Sequence, residues 1–141
     1  MPNKPIIFLS HADENSFEAD LFQILLENLL ADLNVIIWSY KRDQSGKERN
    51  IGNSLKEIIK KSSAFIMLVS PYTLETGATQ WMELAYADAY EMPIFILLHQ
   101  LNFEDLKKHD SDVPPLLIAG SCILAVDWKK EDLESQLREC I

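Results

Sequence analysis

Four unbroken apolar runs constrain this chain more than anything else in it: IIFLS within residues 5–10, VIIW within 34–39, AFIMLV within 64–70 and IFILL within 93–99. A strand with one wet face alternates apolar and polar residues, so runs without alternation are predicted to be strands covered on both faces. Helical patterns separate them. From about Ser16, residues Phe17, Phe22, Leu25, Leu26, Leu29, Leu30 and Leu33 recur at helical spacing, with Glu18, Asp20 and Glu27 between them. Ile51, Leu55, Ile58 and Ile59 mark a second, short helix, and TQWMELAYADAY at 79–90 a third. The segments YKRDQSGKERN (40–50) and PYTLETGA (71–78) read as loops. Further on, LNFEDLKKHD reads as a short helix, DVPPLLIAG as loop, SCILAVDW as a fifth strand and KKEDLESQLREC as a final helix.

Strands that alternate with helices require crossover connections, and right-handed crossovers place helices on both faces of a parallel sheet. The expected fold is therefore a flavodoxin-like three-layer α/β sandwich with a five-stranded parallel sheet in the order 2-1-3-4-5. At 141 residues the chain matches one domain, 1–141, with a single core system. Its apolar and charged shares, 48% and 25%, are those of folded soluble proteins and argue against disorder. A net charge of −9 disfavours nucleic-acid phosphates and anionic bilayers as partners. The apolar runs fall short of the roughly 20 residues that a bilayer-spanning helix needs. MPNKP lacks the apolar centre of a secretory signal, and the expected location is cytoplasmic. Cys122 and Cys140 lie apart without CxxC spacing, and His11, His99 and His109 are scattered, so no metal site is expected.

In such folds ligands collect at the carboxyl ends of the strands. The rim predicted here comprises Ser10, His11 and Asp13 after strand 1, Trp38 and Ser39 after strand 2, and Ser70, Pro71 and Tyr72 after strand 3. A phosphoacceptor receiver would need an aspartate at the end of strand 3, where Val69, Ser70 and Pro71 stand. Neither GxGxxG nor a Walker loop occurs, and HADENS lacks the glycines of a flavin phosphate loop. Ser10 adjoins His11, but neighbours on a strand end point apart and no GxSxG elbow exists, which argues against a serine nucleophile. What remains is aromatic surface from Trp38, Tyr72 and Trp81 beside one carboxylate, Glu83: a base stacks on the first, and the second accepts hydrogen bonds from ribose hydroxyls.

Two readings of Glu83 stand side by side. With Thr79 as N-cap it falls in the first helical turn, where the helix dipole favours an ionised acid and such acids commonly serve stability alone. A fixed carboxylate next to a ribose also favours the oxocarbenium-like state through which an N-glycosidic bond breaks. Trp38 has a similar pair of readings, packing or stacking platform. The basic cluster Lys41, Arg42, Lys47 and Arg49 is either a solvated face or, in an acidic protein, a contact for a pyrophosphate or for an acidic patch on a second copy.

The succession FLSHADE, VIIW, the Ser63–Tyr72 stretch SAFIMLVSPY and the Trp81/Glu83-Leu84 helix before Pro93 resembles the Toll/interleukin-1 receptor (TIR) domain of bacterial type, over roughly residues 5–98. The resemblance implies a domain that assembles with itself or with other TIR domains. It also implies an NAD+ hydrolase that cleaves the nicotinamide–ribose bond, leaving ADP-ribose or a cyclised product, in antiphage defence or cell-death signalling. NAD+ is then a substrate and no cofactor is implied. By position Glu83 matches the family's catalytic glutamate, Ser10 and His11 the ribose pocket, Trp38 the base-stacking surface, and Tyr40–Asn50 the mobile loop that gates the pocket and meets a neighbouring protomer. A separate sensor or effector protein is the expected controller. One departure stands out: the family's tryptophan precedes the glutamate by four residues, whereas Trp81 and Glu83 are two apart, about 200 degrees around a helix. Either the helix starts after Trp81 or the pocket is altered. The alternatives are a noncatalytic TIR adaptor acting through protein contacts, and a nucleoside deoxyribosyltransferase-like enzyme with a glutamate nucleophile.

Overall fold

The computed structural model describes residues 4–39, 51–76, 78–108 and 122–141. At its centre β3 (Ala64–Val69) is buried along its whole length, as an apolar run without alternation requires. It pairs in parallel with β1 (Ile6–Ser10) on one side and β4 (Ile94–Leu98) on the other. β2 (Ile36–Trp38) and β5 (Cys122–Leu124) complete a parallel five-stranded sheet in the order β2-β1-β3-β4-β5. The flavodoxin-like expectation holds.

Alternate residues of the strands feed two separate cores. Phe8, Phe65, Met67, Val69, Ile96 and Leu98 face α2 (Ile51–Lys61) and α4 (Ala78–Ala89), packing with Leu55, Ile59, Leu84 and Ala87. Ile7, Leu9, Ile66, Leu68 and Leu97 face α1 (Ser16–Leu29) and α6 (Leu133–Glu139), packing with Ala19, Leu26, Leu133 and Leu137. Each large side chain so buried contributes roughly 1.5–3 kcal/mol, and β3, apolar on both faces, contributes to both cores. Across the first core, Phe8 stacks on Trp38 at 5.0 Å and on Phe65 at 5.4 Å, so three neighbouring strands share one aromatic row.

The structure departs from the sequence expectations in several segments; of the expected final helix KKEDLESQLREC only Leu133–Glu139 is helical. PYTLETGA is not all loop: Pro71–Thr76 forms α3. Ser70 precedes a proline at the first helical position, where the missing N–H costs nothing, and its own backbone N–H donates to Thr73 Oγ1 at 3.1 Å. The fifth strand ends at Leu124, and Ala125–Asp127 turn in a 3-10 helix. The helix carrying Glu83 begins at Ala78, so Thr79 lies within it rather than capping it. A short helix α5 (Phe103–Lys108) follows β4 as expected.

α4 ends in a double closure. Met92 N–H donates to the Ala87 carbonyl at 3.3 Å and Glu91 N–H to the Asp88 carbonyl at 3.0 Å, with Glu91 at φ 55°. This is the Schellman arrangement, which needs a left-handed residue where glycine is usual. It turns the chain within two residues from α4 into Pro93 and β4.

Candidate functional site

α4 presents Gln80, Glu83, Leu84 and Ala87 inward, at intervals of three and four residues that form one helical stripe. Two polar residues in that stripe are unusual. Glu83 is 4% exposed, and its Oε1 accepts a 2.7 Å hydrogen bond from Ser10 Oγ at the carboxyl end of β1. Their separation of 73 positions in sequence is spanned by the crossovers that bring α4 onto the face where Phe8 and Ser10 point. Ser10 is itself buried, so the pair lies under the rim and not on it.

Burial dominates the chemistry of this carboxyl. Loss of hydration raises the Glu83 pKa to about 7, and the Ser10 hydroxyl, by bonding the charged form, offsets only part of that. The first-turn explanation is thereby corrected. With the helix starting at Ala78, Glu83 is its sixth residue, beyond the first turn where the dipole acts, and the environment favours the neutral acid.

A second polar clasp joins the loops after β1 and β3. Ser70 Oγ donates to Asn15 Oδ1, and Asn15 Nδ2 donates to Glu18 Oε2 at 2.7 Å. Gln80 Nε2 donates to the Leu68 carbonyl at 3.0 Å and ties α4 to the end of β3. That carbonyl can only accept, so Gln80 Oε1 is turned away from it and stays buried without a hydrogen-bond partner among the described residues. Asn15, Thr73 and Gln80 were not foreseen as site residues. Gln80 was readable, being three residues before Glu83 on the same helical stripe; Asn15 had the weaker signal of a cap position before Ser16.

The other expected site residues scatter. His11 is half-buried; its Nδ1–H donates to the Ala12 carbonyl at 2.7 Å, and its buried Nε2 has no hydrogen-bond partner among the described residues. Asp13 is exposed in the short turn Asp13–Asn15. Trp38, 7% exposed and stacked on Phe8, packs the core and does not offer the rim an open stacking face. Tyr72, on α3, is 44% exposed. Trp81 lies inside α4, which rules out a helix starting after it. It packs half-buried against the first core, on the flank of the stripe that carries Glu83. Lys41, Arg42, Lys47 and Arg49 lie outside the described residues.

Beyond β4, two clefts of about 360 and 230 Å³ share His99 and Val126 at the carboxyl ends of β4 and β5. Neither is lined by Glu83, and their walls are mainly apolar. Among the described residues no cluster of His, Cys, Asp or Glu could hold a metal ion, and no helix is long and apolar enough to cross a membrane.

No protein-family model matches the chain, and it matches no curated protein. Among solved structures it is similar to a 2-desoxiribosyltransferase from Leishmania mexicana, with a TM-score of 0.62 and 16% identity over 86% of this chain and 90% of that one. At that identity the likeness is one of fold.

Proposed function

We propose that this chain is a TIR-type NAD+ glycohydrolase in which Glu83 is the carboxylate that faces the reacting ribose. The observation that carries the reading is the buried Ser10–Glu83 pair at the carboxyl end of the sheet, where ligands of this fold gather. The resemblance of FLSHADE, SAFIMLVSPY and the Glu83 helix to the TIR pattern supports it. In the reaction the bond from ribose C1′ to the pyridinium nitrogen breaks, its electron pair leaves with neutral nicotinamide, and water adds to C1′ with loss of a proton to give ADP-ribose. Ionised Glu83 offsets the positive charge that develops on the ribosyl unit, and Ser10 holds the carboxylate in register. Self-association completes the site, and a separate sensor or effector protein controls it.

A second reading is transfer of a deoxyribosyl unit between bases, with Glu83 as nucleophile at C1′. The fold likeness to the 2-desoxiribosyltransferase, which extends over most of both chains, favours it. One experiment separates the two: the concentrated protein is given NAD+ in one assay and a deoxynucleoside with a second free base in another. Release of nicotinamide, reduced at least about a hundredfold in Glu83→Gln and Glu83→Ala, supports the hydrolase. Base exchange without NAD+ consumption supports the transferase. Inertness of the assembled protein in both assays leaves the adaptor role and overturns the enzymatic reading.

A further inference from the structure

A helix packed on a sheet ordinarily turns polar and charged residues to water. α1 does not. Ala19 and Leu26 face the second core, and on the opposite side stand Phe17, Leu21 and Ile24, which are 70%, 55% and 56% exposed. At about 100 degrees per residue these three span roughly 60 degrees of arc, a single stripe. A lone exposed apolar residue needs no explanation, whereas three at the spacing i, i+4, i+7 form the contiguous patch by which helices dock. The charges around the stripe have one sign. Residues 5–39 contain Asp13, Glu14, Glu18, Asp20, Glu27 and Asp32 and no lysine or arginine. Asp13 and Glu14, just before α1, are exposed, and so is Asp20 on the flank between Phe17 and Ile24. Arg138, at the far end of α1, is held by Asp32 and Glu134, and Lys129 lies 5.4 Å over the Trp128 ring. On the other flank Glu18 and Phe22 line the cleft of about 230 Å³, which Val126, 85% exposed, also lines. Glu18 Oε2 accepts from Asn15 Nδ2, and a carboxylate has room for further donors. An apolar recess with a carboxylate in its wall suits the aliphatic stem and charged end of a lysine or arginine.

We infer that the outer face of α1 is a docking site for a basic amphipathic helix of a partner protein, whose apolar side lies on Phe17, Leu21 and Ile24 and whose lysines or arginines meet the flanking carboxylates. The inference stands apart from the chemistry of Glu83. A second copy of this chain is the poorer occupant, because two such faces brought together set acid against acid, and like charges across an interface cost affinity. An anionic bilayer is repelled for the same reason. The stripe runs from Phe17 to Ile24, about 10 Å of helix, so the contact is small and reversible and not an obligate interface.

The test uses the whole chain and labelled helical peptides of about fifteen residues. One has leucines at i, i+3, i+4 and i+7 with lysines elsewhere, one has glutamates in place of the lysines, and one is the lysine peptide with its order scrambled. Fluorescence anisotropy at about 0.15 M salt is expected to show the lysine peptide binding at least about tenfold more tightly than either control, and severalfold more weakly at about 0.5 M salt. Leu21→Gln/Ile24→Gln, two changes on the wet face that leave the melting curve in place, reduces that affinity at least about tenfold. Glu14→Gln/Asp20→Asn reduces it less and flattens the salt dependence. Amide-shift mapping on the unaltered protein, which depends on no variant folding, places the perturbed residues at 17–24. Equal binding of ordered and scrambled peptides, shifts centred elsewhere, or an affinity unchanged in Leu21→Gln/Ile24→Gln overturns the inference. So does a dimer of the protein alone, or binding to phosphatidylglycerol vesicles, that is lost in Leu21→Gln/Ile24→Gln, since another occupant then holds the face.

Discussion

Replacing Glu83 by glutamine should stabilise the fold at neutral pH relative to wild type and do far less near pH 5. In the unfolded chain the carboxyl ionises with its ordinary pKa of 4.5, whereas in the fold burial holds the proton to about 7. Between those values the native state binds more protons than the unfolded one, so this group makes stability fall as pH rises, the reverse of a salt-bridged acid. The cost is below about 1 kcal/mol near pH 5 and about 3 kcal/mol near pH 7.5, a change of about 2 kcal/mol across the window. Glutamine keeps the shape and cannot ionise, and any fixed penalty for its extra N–H is independent of pH. Urea unfolding of both proteins at the two pH values therefore gives a double difference in which the other acids cancel. In melting temperature the expected change is about 4–8 °C for a chain of this size. A difference between the proteins that does not vary with pH, or that turns against glutamine as pH rises, would refute burial as the dominant influence on Glu83.

Glu91→Gly should stabilise the protein by about 0.5–1 kcal/mol in denaturant titrations, because Glu91 holds a left-handed conformation that costs glycine nothing; a loss of stability would show that its side chain matters more than its backbone. Asn15→Ala leaves the buried Ser70 hydroxyl without its acceptor and should cost about 1–3 kcal/mol. A change within about 0.5 kcal/mol would mean that the clasp contributes nothing net. Specific NAD+ turnover should rise with protein concentration and vanish on dilution, and a rate per molecule that stays constant would exclude a site completed by a second copy.

The sheet was legible because its information is repeated: each strand is apolar throughout, and each connection carries its own helical period. Strand order, parallel sense and the burial of both faces all followed. α3 was missed because six residues are too few for a periodic signal, and only the Ser70-Pro71 pair marked its start. That Glu83 belongs to the helix entered from the rim after β3 was readable, but its burial against Ser10 and its charge state were not. That depends on how completely β1, β3 and α2 enclose it, a property of the assembled core. Trp38 illustrates the same limit: an aromatic at the end of a strand looks alike in sequence whether its ring turns up to the rim or, as here, down onto Phe8.

The last helix has a consequence for how the molecule is made. Leu133 and Leu137 complete the layer that Ala19 and Leu26 begin, and Arg138 reaches back 106 residues to grip Asp32 at 2.9 Å. During synthesis the strip of this layer that Leu133 and Leu137 cover must therefore remain wet until α6 has left the ribosome. A translational stall before α6 would strand a half-covered sheet, the kind of species that chaperones engage.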